Sequence, residues 1–166
     1  ISAEDVKVSS PDGRLVVNVS CEGGRLYYDA TLNDQRMLKK SALGLKTSIG
    51  DFTRELSTVN CKLSTVNSSY TMRGTKASSH TYKATKAVID IENKDHQRFS
   101  IIFQVSDNDI AFRYAIPRQK LQGKEPKRLR IKSELSSFNF PDGTTTFISP
   151  QIGPESGWEQ TKPSYE

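Results

Sequence analysis

The sequence predicts an all-β protein, a sandwich or barrel of mostly antiparallel strands. Three observations carry that expectation. Apolar residues recur mainly with period two, as in strands with one buried face. About 33 of the 166 residues are Ser or Thr, and long alanine–leucine helical stretches are missing. Short apolar runs are separated by turn signals such as Pro11-Asp12-Gly13, Gly23-Gly24, Asn33-Asp34 and Pro141-Asp142-Gly143.

Taken in order, Leu15–Val19 follows the first of these turns, and Gly23-Gly24 opens a second run, Leu26–Leu32. Together they predict an N-terminal hairpin, closed by Asn33-Asp34. Leu43–Thr47 reads as a short strand. Residues 56–73 alternate and are rich in Val, Thr, Ser and Tyr, which suits solvent-facing strands. Ala87–Glu92 and Phe99–Val105 are the strongest strands, linked by the polar turn Asn93–His96. Ser106–Asp109 then leads into Ile110–Ile116, which completes a three-stranded meander ended by Pro117. Arg118–Arg128 reads as a charged surface loop. Leu129–Leu135 predicts another strand, Phe138-Asn139-Phe140 stops at a turn, and Thr144–Ile148 is the last strand expected. Residues 1–150 thus form the β-domain, and 151–166 an irregular segment leaving it. No internal repeat is visible.

Composition bounds the class of protein. Hydrophobic residues make up 34% and charged residues 26%, with a net charge of +5 and a pI near 9.2. Apolar residues recur throughout, which argues against a disordered chain. No apolar run approaches the roughly 18–20 residues of a spanning helix, and no heptad repeat marks a coiled coil. No membrane insertion is expected.

Two cysteines, Cys21 and Cys61, lack metal-binding spacing, and only His80 and His96 stand ready to assist them. A disulfide in an oxidising compartment and two buried thiols are both open readings. The single Trp158 lies downstream of both cysteines, unlike the immunoglobulin arrangement. The chain starts at Ile1 and stops at Glu166 without a capping turn, so trimming or signal removal is expected. Asn18-Val19-Ser20 and Asn67-Ser68-Ser69 match the N-glycosylation tripeptide.

Few residues suggest chemistry. Lys124, Lys127, Arg128, Arg130 and Lys132 crowd together, but Leu129 and Ile131 alternate with the last two and no aromatic residues interleave. A wet strand face explains this better than a phosphate-binding strip, so no nucleic-acid partner is expected. A mutarotase-type epimerase needs a histidine–carboxylate site, yet His80 and His96 read as surface groups. Asp and Glu residues are scattered, with no pair singled out for glycosidic cleavage. Nucleophile-elbow, P-loop and dinucleotide motifs are missing. The last residues, Gly157-Trp158-Glu159-Gln160-Thr161-Lys162-Pro163-Ser164-Tyr165-Glu166, gather an aromatic and several acids. Trp158 suits stacking on a sugar or a neighbouring domain, and Glu166 is a hard oxygen ligand of the kind calcium takes. A disordered tail is the plainer alternative.

Four stretches resemble the N-terminal domain of glycoside hydrolase family 97, the bacterial α-glucosidases and α-galactosidases. They are Ser10-Pro11-Asp12-Gly13-Arg14-Leu15 with its following strand, Asn108-Asp109-Ile110-Ala111-Phe112-Arg113-Tyr114, Phe138-Asn139-Phe140-Pro141, and Trp158 through Glu166. Each is weakly specific alone; their order and spacing make the case. The resemblance implies a β-supersandwich of galactose-mutarotase-like type, followed in the whole enzyme by a catalytic (β/α)8 barrel and a small β-domain. The catalytic carboxylates belong to the barrel and are absent from this chain. The resemblance also implies a calcium ion held by glutamates, one of them from this domain, which maps onto Glu166. Trp158, Lys162 and Tyr165 are the expected domain-interface or substrate-edge residues.

The chain is therefore expected to be a non-catalytic domain of a calcium-dependent α-glycoside hydrolase, periplasmic or secreted and bacterial. Its partners would be its own barrel and an α-linked oligosaccharide. The alternatives are a stand-alone carbohydrate-binding module, which predicts sugar affinity in this chain alone, and a mutarotase-like enzyme that depends on His80 or His96.

Overall fold

The computed structural model describes residues 5–74, 79–117 and 129–145. Among these residues eleven strands follow one another: β1 (Val6–Ser9), β2 (Leu15–Glu22), β3 (Arg25–Leu32), β4 (Gln35–Leu43), β5 (Leu45–Thr47), β6 (Asp51–Phe52), β7 (Leu56–Thr71), β8 (Ser79–Asn93), β9 (Arg98–Ser106), β10 (Ile110–Ala115) and β11 (Ile131–Glu134). They make two four-stranded sheets, ordered β1-β2-β3-β4 and β10-β9-β8-β7, and a small third sheet, β11-β5-β6. All the pairings are antiparallel.

The two larger sheets face each other as a sandwich. Alternate residues point inward, as the strand period requires. Val17, Tyr28, Ile89, Ile101 and Phe103 are fully or almost fully buried between them. The predicted hairpin is β2–β3. Gly23 and Gly24 both take positive φ, as do Asn33 and Asp34 at the next turn, the backbone that two-residue hairpin loops need. The predicted meander is β8–β9–β10.

Several expectations need correction. Leu43–Thr47 is not one strand: Gly44 interrupts it, and β4 extends back to Gln35. Residues 56–71 form a single long strand, β7, rather than several. β8 reaches to Ser79, well before Ala87. The strand expected from Leu129 narrows to Ile131–Glu134, and all four of its residues are exposed. Leu129 and Ile131 are exposed as well, so their alternation with Arg130 and Lys132 marks no buried face. Thr144 and Thr145 lie in no strand, and the rest of that expected strand lies outside the described residues.

Both cysteines are free thiols and half-buried, which settles the open alternatives against a disulfide. Cys21 Sγ donates to the Leu56 carbonyl at 3.2 Å, and burial pushes both thiols up from their ordinary pKa.

Candidate functional site

The sandwich is closed on one side by a segment that belongs to neither large sheet. Residues 131–139 run beside β4 and β5. Leu135 N donates to Gly44 O, Ser137 N to Ala42 O, and Lys39 N to Asn139 O. Two tyrosines from the facing sheets hold this segment. Tyr28 of β3 donates its hydroxyl to Ser137 O at 3.0 Å. Tyr114 of β10 shares a hydrogen bond with Ser136 Oγ at 2.6 Å and accepts Gly44 N–H at 3.0 Å. Burial, helped by the neighbouring Tyr114, pushes the Tyr28 phenol up to about 12. Burial also raises Tyr114, against the opposing effect of its hydrogen bonds. Both phenols are neutral near pH 7 and serve as anchors rather than acids.

Phe138 caps the same opening. Its ring lies 6.4 Å from Tyr28 and 6.1 Å from Phe112 between centroids. Yet Phe138 remains 58% exposed, and Ile131, Leu135, Phe140 and Met37 are also exposed. Scattered exposed apolar residues need no explanation, but Ile131, Leu135, Phe138 and Phe140 gather on one short segment as an apolar strip. A cavity of about 420 Å³ beside it is lined by Met37, Leu38, Phe140 and the Pro141–Thr144 turn.

At an end of the sandwich, the first resembling stretch meets the loop that leads into the second. In the turn after β1, the Ser10 hydroxyl and the Arg14 backbone and guanidinium all bond the Asp12 carboxylate. Those hydrogen bonds hold Asp12 far below the usual carboxylate range, the Ser10 hydroxyl most of all. Asp12 N in turn donates to Asp107 Oδ1 at 2.9 Å, tying the turn to the β9–β10 loop. Gly13, at φ 77, supplies the backbone that turn requires.

The predicted site residues Trp158, Lys162, Tyr165 and Glu166 lie outside the described residues. Among the described residues, no group of three or more His, Cys, Asp or Glu side chains is placed to hold a metal. His80 and His96 sit at opposite ends of β8, separated by about 45 Å of strand. His96 is 86% exposed and bonds Glu92 Oε1 at 2.9 Å; His80 stacks on Tyr70. His96 and Glu92 thus form a histidine–carboxylate pair, placed on an exposed turn. Sequence reasoning missed the tyrosine anchors. The signal was a phenol among the otherwise apolar inward positions of β3 and β10.

Comparison with known proteins agrees with this architecture. The family described as Glycosyl-hydrolase 97 N-terminal matches residues 8–166. A probable retaining alpha-galactosidase of Streptomyces bingchenggensis (strain BCW-1) is 24% identical over 140 residues, 84% of this chain and 20% of that protein. The crystal structure of a beta-arabinopyranosidase superposes with TM-score 0.82 at 38% identity, over 96% of this chain and 25% of that one. A glycoside hydrolase family 97 enzyme from Pseudoalteromonas sp. strain K8, solved with panose, superposes with TM-score 0.73 at 18% identity, over 82% and 20%. At that identity it speaks for the fold alone. The chain thus spans about a fifth to a quarter of the length of these relatives. A match over nearly every residue, on a sandwich of the same shape, makes this chain a member of the glycoside hydrolase family 97 N-terminal domain family.

Proposed function

We propose that this chain is the non-catalytic sandwich of a glycoside hydrolase, which packs against a catalytic (β/α)8 barrel and forms one wall of its active site. The family match over residues 8–166 is the observation that carries this reading. The exposed apolar strip on residues 129–140 supports it, as the surface on which the barrel would rest. Barrel enzymes carry their sites on the face of the strand-to-helix loops, where an added sandwich can supply a wall.

The substrate we assign is an α-galactoside or a β-L-arabinopyranoside in preference to an α-glucoside. These two sugars share ring stereochemistry, the second lacking only the exocyclic hydroxymethyl group. The sequence is 38% identical to the relative named as a beta-arabinopyranosidase and 24% identical to the one named as a probable retaining alpha-galactosidase. We further assign Glu166 as one calcium ligand, with Trp158, Lys162 and Tyr165 at the interface or substrate edge. A carboxylate is a suitable donor for calcium, but the ion takes about six to eight oxygens. No described residues of this chain form a carboxylate cluster, so the remaining ligands would come from the barrel. When bound, calcium would polarise a water or a sugar hydroxyl; this chain's part is to place one carboxylate there. We place the whole enzyme in the periplasm or outside a bacterial cell.

The test is hydrolysis of p-nitrophenyl α-galactoside, β-L-arabinopyranoside and α-glucoside by the full-length enzyme, with and without a chelator. The first two should be cleaved faster, chelation should abolish turnover, and Glu166→Gln should weaken calcium binding about tenfold or more. Preference for the α-glucoside would overturn the substrate assignment. Unaltered calcium affinity in Glu166→Gln would remove that residue from the site.

A further inference from the structure

The far end of the β7–β8 hairpin carries an arrangement that the reading above leaves unused. β9 pairs with β8 only from Ala84 onward, so among the described residues Ser79–Lys83 pair with β7 alone and this end of the hairpin is a two-stranded ribbon. Register places Tyr70 opposite His80, and Ser68 opposite Tyr82. Side chains two apart on a strand share a face. Tyr70, His80 and Tyr82 therefore present three rings on the same face of the ribbon. Tyr70 is 50% exposed and lies flat against His80, 5.4 Å between centroids and 20° between planes.

Beside these rings, the strand edge left by β9 opens a cavity of about 420 Å³. It is lined by Thr81, Tyr82, Lys83, Ser106 and the Asp107–Asp109 loop. Tyr82 is fixed there, since its hydroxyl accepts Gln104 Nε2 at 3.0 Å and reaches Asp109 Oδ1 at 3.5 Å. Ser106 Oγ holds the other Asp109 oxygen at 2.6 Å.

We propose that this ribbon face and groove bind a neutral polysaccharide. Three features select that ligand. A pyranose has an apolar face of C–H groups that stacks on a fixed aromatic ring, and Tyr brings such a ring with little loss of entropy. The groove offers amide, hydroxyl, carboxylate and ammonium groups to the hydroxyls at the sugar's rim, the mixture of an apolar surface with a few convergent polar groups. It carries one cation, Lys83, against two carboxylates, Asp107 and Asp109, and both carboxylates already accept hydrogen bonds. A polyanion such as a nucleic acid would need a run of uncompensated cations instead.

This inference rests on the glycosidase reading for the kind of ligand, and its test is independent of turnover. The experiment is affinity electrophoresis of the full-length protein through gels containing guar galactomannan, arabinogalactan or amylopectin. The wild-type protein should be retarded by at least one of them. Tyr70→Ala should weaken retardation about tenfold with an unchanged circular dichroism spectrum, and Tyr70→Trp should strengthen it about threefold. Equal retardation of wild type and both variants would overturn the proposal, as would no retardation of wild type in any gel. Hydrolysis of p-nitrophenyl glycosides by the wild type is scored separately. Its failure would sink the enzyme reading while leaving the retardation result intact.

Discussion

The tyrosine clamp makes a quantitative prediction. Tyr114→Phe keeps the ring among Phe99 and Phe112 but removes the oxygen that accepts Gly44 N–H and bonds Ser136. Gly44 N–H then points at a ring edge. A partly buried donor left without its partner costs about 1–3 kcal/mol. The cost should stay local, because the apolar packing is intact. At 1.36 kcal/mol per factor of ten, it translates into roughly 5- to 150-fold faster amide exchange where β4 meets β5. Tyr28→Phe removes only a donor to the Ser137 carbonyl, so its effect should fall at the low end of the same range. The assay is hydrogen exchange read by mass spectrometry, with peptides covering residues 42–47 and 134–138 compared against those covering β9. Tyr114→Phe should accelerate the first two and leave β9 unchanged. Equal acceleration everywhere would mean that the hydroxyl supports the whole domain rather than the clamp. No acceleration anywhere would mean that water replaces it at no cost, and the clamp would lose its energetic meaning.

Two further predictions follow from the same region. Gly44→Ala should destabilise the domain by about 1–3 kcal/mol in denaturant titration, because a Cβ there would lie 2.9 Å from the Phe52 carbonyl oxygen at φ +153; a wild-type midpoint would refute the close approach. The Tyr28 phenol is raised in the folded protein to about 12 from an ordinary 10.0. Its stabilising contribution is therefore present in full below pH about 10 and fades as the pH rises through about 12. Tyr28→Phe should flatten that part of the alkaline unfolding curve, and an unaltered curve would show that other groups set it.

How much of this was readable depends on what fixes each element. The β2–β3 hairpin and the β8–β9–β10 meander were legible because their own residues decide them. Alternating apolar positions face one core, and Gly-Gly or Asn-Asp fills the loops that demand positive φ. β4 was missed because Gln35-Arg36-Met37 at its start is exposed and buries no side chain, so the ladder to β3 makes it a strand. β11 buries nothing and exists through its bonds to β5. The clamp joins Tyr28 to Ser137 across 109 positions of sequence, a pairing no local pattern encodes. Of the candidate site, the aromatic ribbon left only a faint trace, His80 and Tyr82 two apart on one strand.

The stretches that carry the family resemblance turn out, where they are described, to be fasteners. Asp12 ties the turn after β1 to the β9–β10 loop through Asp107. Phe112 and Tyr114 of the next stretch sit in the aromatic cluster that closes the sandwich, and Phe138 of the third covers it. None of these groups is placed to act as acid, base or nucleophile: Asp12 is held ionised by its own turn, and the buried phenols are held neutral. A domain recognisable by its fasteners suits the supporting wall proposed above. Such a wall would have to keep one surface in a fixed shape against a neighbour, and closure of the sandwich beneath the exposed Phe138 would serve that. In the proposed reading the chemistry falls to carboxylates of the barrel, and the physical question for this chain becomes how firmly Tyr28 and Tyr114 hold the exposed strip around Phe138.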